Sequence, residues 1–321
     1  MNSFERTINK FRTAIPDTLP CISIDGKNGQ ARATFFADAG LVTVESSVHF
    51  EGNPFYIEPD DLKTIRRVDN LYLVKDGVFY GDLEVDLKVD SENMPMIALE
   101  NEQEGLKVKR DDLDYIMLAA STDETRPVLN SILFTSKRLV ATDGFRIHIV
   151  PGEYHTEDNL ITILPSEALA RIKSDFAISH KDDHSIIIFD DHDNRVIMKI
   201  PWIVGTFPDY HAIIPTETKI DFVLPNDKRF KKVVTDDFCK VILHSNIITF
   251  ITWKIRENRG HTMFKITPGY TKGKPETEIT FGINPRYLCE AIRGDIVKIG
   301  FNDSSAPIVI GNSIVMPKWL K

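Results

Sequence analysis

The sequence predicts an α+β chain made of three copies of one unit. Three observations carry this expectation. An apolar strand, a proline and a short amphipathic helix follow one another at three places, and β-rich runs come after each. The chain is also long enough, at 321 residues, for two or three domains. Its composition, 42% hydrophobic and 27% charged, is that of a globular protein and not of a disordered one.

The first copy runs from Phe55 through Pro59 and Leu62 to Ile65. The second runs from Ile161 through Pro165 and Leu169 to Ile172, and the third from Phe281 through Pro285 and Leu288 to Ile292. Proline suits the first position of a helix, because its missing N–H would have no partner there and its φ is already helical. A second helix is expected ahead of each unit, over Ser3 to Thr13, Asp111 to Ala120 and Lys228 to Phe238. Phe4, Ile8 and Phe11 fall at helical spacing, as do Phe230, Val233, Val234 and Phe238. Alternation and β-branched content predict strands at Asn70 to Val74, Leu83 to Val89, Ser185 to Phe189, Arg195 to Ile200, Ile296 to Phe301 and Ile308 to Ile310. Boundaries then fall near Leu106 and Thr216, giving domains at 1–106, 107–216 and 217–321.

Composition narrows the function. The net charge of −8 speaks against a uniformly basic nucleic-acid binder but leaves room for charge sorted between surfaces. Cys21, Cys239 and Cys289 stand far apart with no CxxC pair, so neither a zinc knuckle nor a redox pair is expected, and a reduced cytoplasm fits. The opening Met1-Asn2-Ser3-Phe4-Glu5-Arg6 has no apolar core behind it, which predicts no signal peptide. No run approaches the roughly 18 apolar residues of a membrane span.

Signatures of phosphate-binding loops, dinucleotide folds, zinc proteases and serine hydrolases are missing. The richest acidic stretches are Asp182-Asp183-His184 and Asp190-Asp191-His192-Asp193. Such oxygen and imidazole groups could hold a divalent metal and serve a metal-dependent phosphoesterase. They also sit beside two predicted strands, which makes Asp190 to Asn194 a polar hairpin loop. No metal, cofactor or catalytic residue is expected. Asp143-Gly144, between Leu139-Val140-Ala141 and Phe145 to Val150, reads as a hairpin turn that needs positive φ.

Four motifs carry a resemblance. Ala119 to Phe134, including Ser121-Thr122-Asp123-Glu124-Thr125-Arg126-Pro127, resembles the start of the middle domain of bacterial DNA polymerase III β subunits, the DNA sliding clamps. Ala141-Thr142-Asp143-Gly144-Phe145-Arg146-Ile147 is similar to that domain's hairpin. Phe207-Pro208-Asp209-Tyr210, running to Ile214-Pro215, resembles the motif that closes it, and Val315-Met316-Pro317 matches the terminal tail. The motifs lie in order and are concentrated between Leu118 and Pro215 and in the tail. The chain is shorter than usual for the family, which implies a shortened or phage-encoded member.

The resemblance implies three clamp domains per chain, with sheets outside and paired helices inside, and two chains closing a ring around duplex DNA. The partners implied are double-stranded DNA without sequence preference, peptides of DNA polymerases and clamp loaders, and a second copy of the chain, with no membrane. Lys and Arg on the helices would supply a sequence-independent attraction to phosphate. The candidates are Arg6, Lys10, Lys63, Arg66, Arg67, Arg126, Arg171, Lys173, Lys228, Arg229, Lys231, Lys232, Arg286 and Arg293. The helix opening at Asp111, Asp112 and Asp114 departs from this pattern, although Lys107, Lys109 and Arg110 precede it. Partner peptides, often glutamine followed by apolar residues, would enter a pocket formed by Leu129, Thr142, Gly144, Phe145, Arg146, Ile147, Pro208, Ile213, Val315, Met316, Pro317 and Trp319. Phe145, Ala212, Lys318, Trp319 and the final Lys321 depart from the family pattern and imply an altered peptide preference. Two other functions are compatible with the sequence: a clamp-fold recruitment module that does not encircle DNA, and the phosphoesterase built on Asp182, Asp183, His184, Asp190, Asp191 and His192.

Overall fold

A computed structural model describes residues 3–11, 22–37, 40–51, 55–57, 71–74, 78–80, 84–86, 105–155, 161–233, 236, 238–244, 246–253 and 262–319. The predicted helix around Leu62, with Lys63, Arg66 and Arg67, lies outside the described residues, as do Cys21 and Lys321. Contacts gather the chain into two compact units. The first takes Met1–Leu113, Leu133–Arg138 and Gly152–Val204; the second takes Asp114–Ile132, Leu139–Pro151 and Gly205–Lys321.

The first unit is organised by one large sheet. Its strands run in the order Phe55–Ile57, Ile22–Lys27, Gln30–Ala37, Gly40–Glu51, Asn194–Pro201, His184–Asp191, Phe176–Lys181 and Leu106–Val108. Gly40–Glu51 pairs antiparallel with Asn194–Pro201, with Val44 opposite Val196 and Val42 opposite Met198. Strands from both sides of residue 106 therefore share one sheet, which is why contacts divide the chain in two and not at residue 106. The predicted strands at 70–74 and 83–89 appear as Leu71–Val74 and Glu84–Asp86. The helix Ser3–Phe11 lays Ile8 and Phe11, both fully buried, on this sheet, where Phe11 meets Phe189 at 5.7 Å between ring centroids. Burying each of these side chains contributes about 2–3 kcal/mol.

Asp191 has a structural task in this packing. Its carboxylate accepts from the buried Thr7 hydroxyl at 2.7 Å and pairs with Lys10, while Asn194 donates to the same hydroxyl at 3.1 Å. Burial pushes the Asp191 carboxyl upward, but the hydrogen bonds from Lys10 and Thr7 outweigh it and hold the group below the usual carboxylate range.

The second unit holds a sheet in the order Arg138–Thr142, Arg146–Pro151, Ser313–Val315, Ile308–Ile310, Ile296–Phe301, Ile220–Pro225 and Gly269–Lys272. A four-stranded sheet of Thr262–Ile266, Ile247–Trp253, Phe238–His244 and Ile279–Ile283 faces the same core. Phe222, Phe230 and Phe301 are buried there, with Phe230 edge-on to Phe250 at 5.2 Å and to Phe264 at 5.5 Å. Two helices pack together against this core, Lys228–Val233 and Pro285–Ala291, joined by the Cys289 thiol donating to the Phe230 carbonyl at 3.0 Å.

Several expected boundaries move. The helix that opens at Lys228 ends at Val233, and Phe238 begins a strand opposite Trp253, where the two rings lie 4.7 Å apart. β-pairing of an aromatic side chain has prevailed there over helical spacing. Pro285 stands at the first helical position as predicted, and the Asn284 side chain caps the helix by accepting from the Arg286 N–H at 3.0 Å. Pro165 instead occupies the cap position itself, with ψ 129°, because the strand Thr162–Pro165 continues up to it. Among the described residues no helix is long and apolar enough to cross a membrane.

Candidate peptide-binding cleft and basic helix faces

The cleft begins with a hairpin. Leu139, Val140 and Ala141 are fully buried in one strand, and Ile147 lies in the next. The three residues between the strands must reverse the chain. Asp143 does so by accepting from the Phe145 and Arg146 N–H groups at 2.9 and 3.0 Å, and Gly144 adopts φ 91°. The Thr142 hydroxyl closes the turn, donating to the Arg146 carbonyl at 2.7 Å and accepting from the Gly144 N–H at 3.0 Å. These contacts leave Phe145 at the tip, 62% exposed.

The tail supplies the adjoining wall. Ser313–Val315 pairs with the hairpin's second strand, Arg146 opposite Val315 and Ile147 opposite Ile314. The Met316 N–H then donates to the Phe145 carbonyl at 2.9 Å, and the Lys318 N–H to the Gly282 carbonyl at 2.8 Å. Gly282 permits this approach, since a Cβ there would meet the Lys318 carbonyl and the Phe238 ring, each at 2.6 Å. A third wall comes from Pro208 and the short 3-10 helix Tyr210–Ile213, capped by Asp209 accepting from the His211 N–H at 3.1 Å.

These walls enclose a largely apolar cleft of about 450 Å3. Leu129, Thr142, Gly144, Phe145, Arg146, Ile147, Pro208, Ile213 and Met316 line it, all among the residues predicted for the pocket. Tyr210 and Ile314 line it too and were not predicted; Tyr210 sits inside the motif Phe207-Pro208-Asp209-Tyr210, whereas Ile314 immediately precedes Val315-Met316-Pro317. Three of the predicted residues fall elsewhere. Val315 points into the core and has no exposure, because strand alternation turns it away from the cleft. Pro317 and Trp319 line a second cleft of about 760 Å3 with Thr280, Phe281, Ser304 and Ser305; it shares Met316 with the first. Trp319 is 86% exposed.

Arg146 belongs to the wall by its stem, not by a free head. Its guanidinium is buried, pairs with Glu290 and, at 3.3 Å, with Asp143, donates to the Leu118 carbonyl, and stacks 4.1 Å from the Tyr287 ring centroid. Neither Glu290 nor Tyr287 was singled out in the sequence, since both lie far along the chain in the helix Pro285–Ala291.

The predicted basic residues occupy varied surroundings. Lys228, Arg229, Lys231 and Lys232 are all exposed around the buried Phe230, so one short helix presents four cations. Arg229 also pairs bidentately with Asp227 at 2.6 and 2.9 Å and lies over the Phe264 ring. Arg6 and Lys173 are exposed; Lys173 donates to the Ala170 carbonyl. Arg126 pairs with Asp123 at 2.7 Å, Arg286 with Glu290 at 2.8 Å, and Arg293 stacks 4.3 Å from Tyr115. Two are drawn inward: Lys10 by Asp191, and Arg171 by donating to the Phe11 carbonyl at 2.9 Å.

The acidic stretches do not form a site. Asp182 and Asp183 make the turn between Lys181 and His184, whereas His192 and Asp193 make the turn between Asp191 and Asn194. The two turns lie at opposite ends of the strand His184–Asp191, on the order of 20 Å apart at roughly 3.3 Å per residue. No cluster of His, Cys, Asp or Glu suited to a metal occurs among the described residues.

Sheets bearing short paired helices, with a cleft closed by a C-terminal strand, place the chain in the DNA-clamp class of folds. More particularly, its fold is that of the bacterial DNA polymerase III β subunits. It superimposes on a Helicobacter pylori β clamp solved with a DNA ligase peptide (TM-score 0.77, 18% identity, 99% of this chain and 98% of that one). It also matches the Thermotoga maritima β subunit (TM-score 0.72, 17% identity, 99% and 98%). In sequence it is similar to the β sliding clamp of Rickettsia bellii, 27% identical over 250 residues. That match takes in 68% of this chain and spans 66% of the relative's length. No family model matches the chain.

Proposed function

We propose that the chain is a DNA sliding clamp, a processivity factor and not an enzyme. In this reading residues 1–106, 107–216 and 217–321 are three clamp domains, and two chains close a ring around duplex DNA. The exposed cations of Lys228–Val233, with Arg6, Lys173, Arg286 and Arg293, face the phosphates and attract them without sequence preference. A net charge of −8 then leaves the outer surface repelling DNA. Replication in the cytoplasm is the setting this implies.

The observation that carries the reading is the cleft, because nine residues singled out by motif converge on one apolar concavity of a clamp fold. A peptide with a glutamine followed by apolar residues suits it: the apolar side chains enter among Leu129, Ile147, Pro208 and Met316, and Thr142 and the Phe145 backbone orient the polar end. DNA polymerases, clamp loaders and, by analogy with the Helicobacter pylori complex, DNA ligases are the partners this selects.

Two measurements test the reading. A fluorescein-labelled pentapeptide with an N-terminal glutamine and apolar residues after it should bind, and Met316→Trp should weaken it at least about tenfold by filling the cleft. Equal binding by the variant contradicts the assignment of the cleft. Native mass spectrometry should give twice the 36.5 kDa chain, and a monomer at micromolar concentration contradicts the ring.

A further inference from the structure

Glu290 is 12% exposed in its side chain and lies on the helix Pro285–Ala291, behind the cleft rather than in it. One of its carboxylate oxygens pairs with Arg146, whose side chain is 5% exposed. The other accepts from Arg286 at 2.8 Å, one helical turn away, whose side chain is 62% exposed. Arg146 in turn meets Asp143, and Asp143 is hydrogen-bonded to the Tyr287 hydroxyl. A buried guanidinium keeps its place only while its charge is compensated. Held there, Arg146 fixes the turn whose carbonyl at Phe145 receives the Met316 N–H, and so fixes two walls of the cleft.

We infer that Glu290 is a positioning residue of the cleft, acting through Arg146, and that Arg286 on the exposed helix face competes for the same carboxylate. The inference rests on the reading of the cleft as a peptide site. With Arg286 drawn away, the carboxylate belongs wholly to Arg146 and the walls are held more firmly. A phosphate bound at Arg286 acts in that direction, so the helix face proposed for DNA communicates with the cleft proposed for partners.

The test is a double-mutant cycle read by anisotropy of the same labelled peptide. Glu290→Gln should bind about tenfold more weakly, the size expected of a coupled buried pair. Arg286→Ala, on an exposed helix face and therefore expected to fold, should bind about two- to threefold more tightly, and this gain should vanish in the Glu290→Gln background. Unchanged affinity in Arg286→Ala, or the same change in both backgrounds, overturns the inference while leaving the cleft intact. Should Glu290→Gln fail to fold, the Arg286→Ala result decides alone. Absence of any binding by the unsubstituted chain overturns the cleft reading itself, and the inference with it.

Discussion

Gly282 shows how much of the cleft depends on single atoms. Its missing Cβ admits the Lys318 carbonyl, and that contact seats the tail. Gly282→Ala should cost about 1–3 kcal/mol by overpacking and should weaken the labelled peptide, both readable by thermal melts and anisotropy. Gly144 is different: no atom stands within 4 Å of where its Cβ would be, and only φ 91° demands glycine. Asp143-Gly144 could be recognised as a turn from sequence because turn chemistry is local. Glu290 could not, because its partner Arg146 is remote in sequence and carboxylates on a helix ordinarily face solvent. Lys10 and Arg171 meet the same limit: helical spacing gives a face, but only tertiary packing decides whether Asp191 or the Phe11 carbonyl turns the cation inward.

At the scale of elements, the helix Lys228–Val233 presents four exposed cations around the buried Phe230. Replacing Lys228, Arg229, Lys231 and Lys232 together by glutamine should lower duplex affinity and reduce the salt slope by up to about 4, roughly one per phosphate contact, measured by titrations at several salt concentrations. A slope equal to that of the unsubstituted chain would remove this helix from the DNA-facing set. Its neighbour Pro285–Ala291 depends on the Asn284 cap, and Asn284→Ala should cost about 1 kcal/mol in a denaturant melt. Strands were largely legible in the sequence: Ile296–Phe301 and Ile308–Ile310 fall where alternation placed them. Helix lengths were less so, since Val234 and Phe238, four apart in sequence, share helical spacing and only pairing with Trp253 reveals Phe238 as a strand residue.

The whole molecule carries a pH dependence that follows from the buried imidazole of His148 and the half-buried one of His180. His148 is pushed down to about 4, first by burial, and is stacked 4.4 Å from Tyr115; its Nδ1 faces the Tyr115 carbonyl at 3.0 Å. His180, in the other unit, is lowered to about 4 by burial and by the neighbouring His155, 4.3 Å away. Between about 6.5 and 4 the unfolded chain binds more protons than the folded one. Stability should therefore be full above about pH 6.5 and fall as the pH drops toward 4, by up to roughly 3 kcal/mol for His148. Denaturant melts across that window check the sign; a flat profile would contradict it. The second and third copies of the predicted repeat appear as strand followed by helix, Thr162–Pro165 with Ser166–Ala170 and Ile279–Ile283 with Pro285–Ala291, and the helix of the first lies outside the described residues. The continuous sheet through Gly40–Glu51 and Asn194–Pro201 was not legible, because pairing between strands remote in sequence leaves no local signal. A sliding clamp depends on topology more than on affinity, so its most direct test is topological. Loaded onto nicked circular duplex by its cognate loader, the chain should stay bound through a high-salt wash and leave within minutes once the circle is cut. Equal retention on circular and linear DNA, or none on either, would contradict the account.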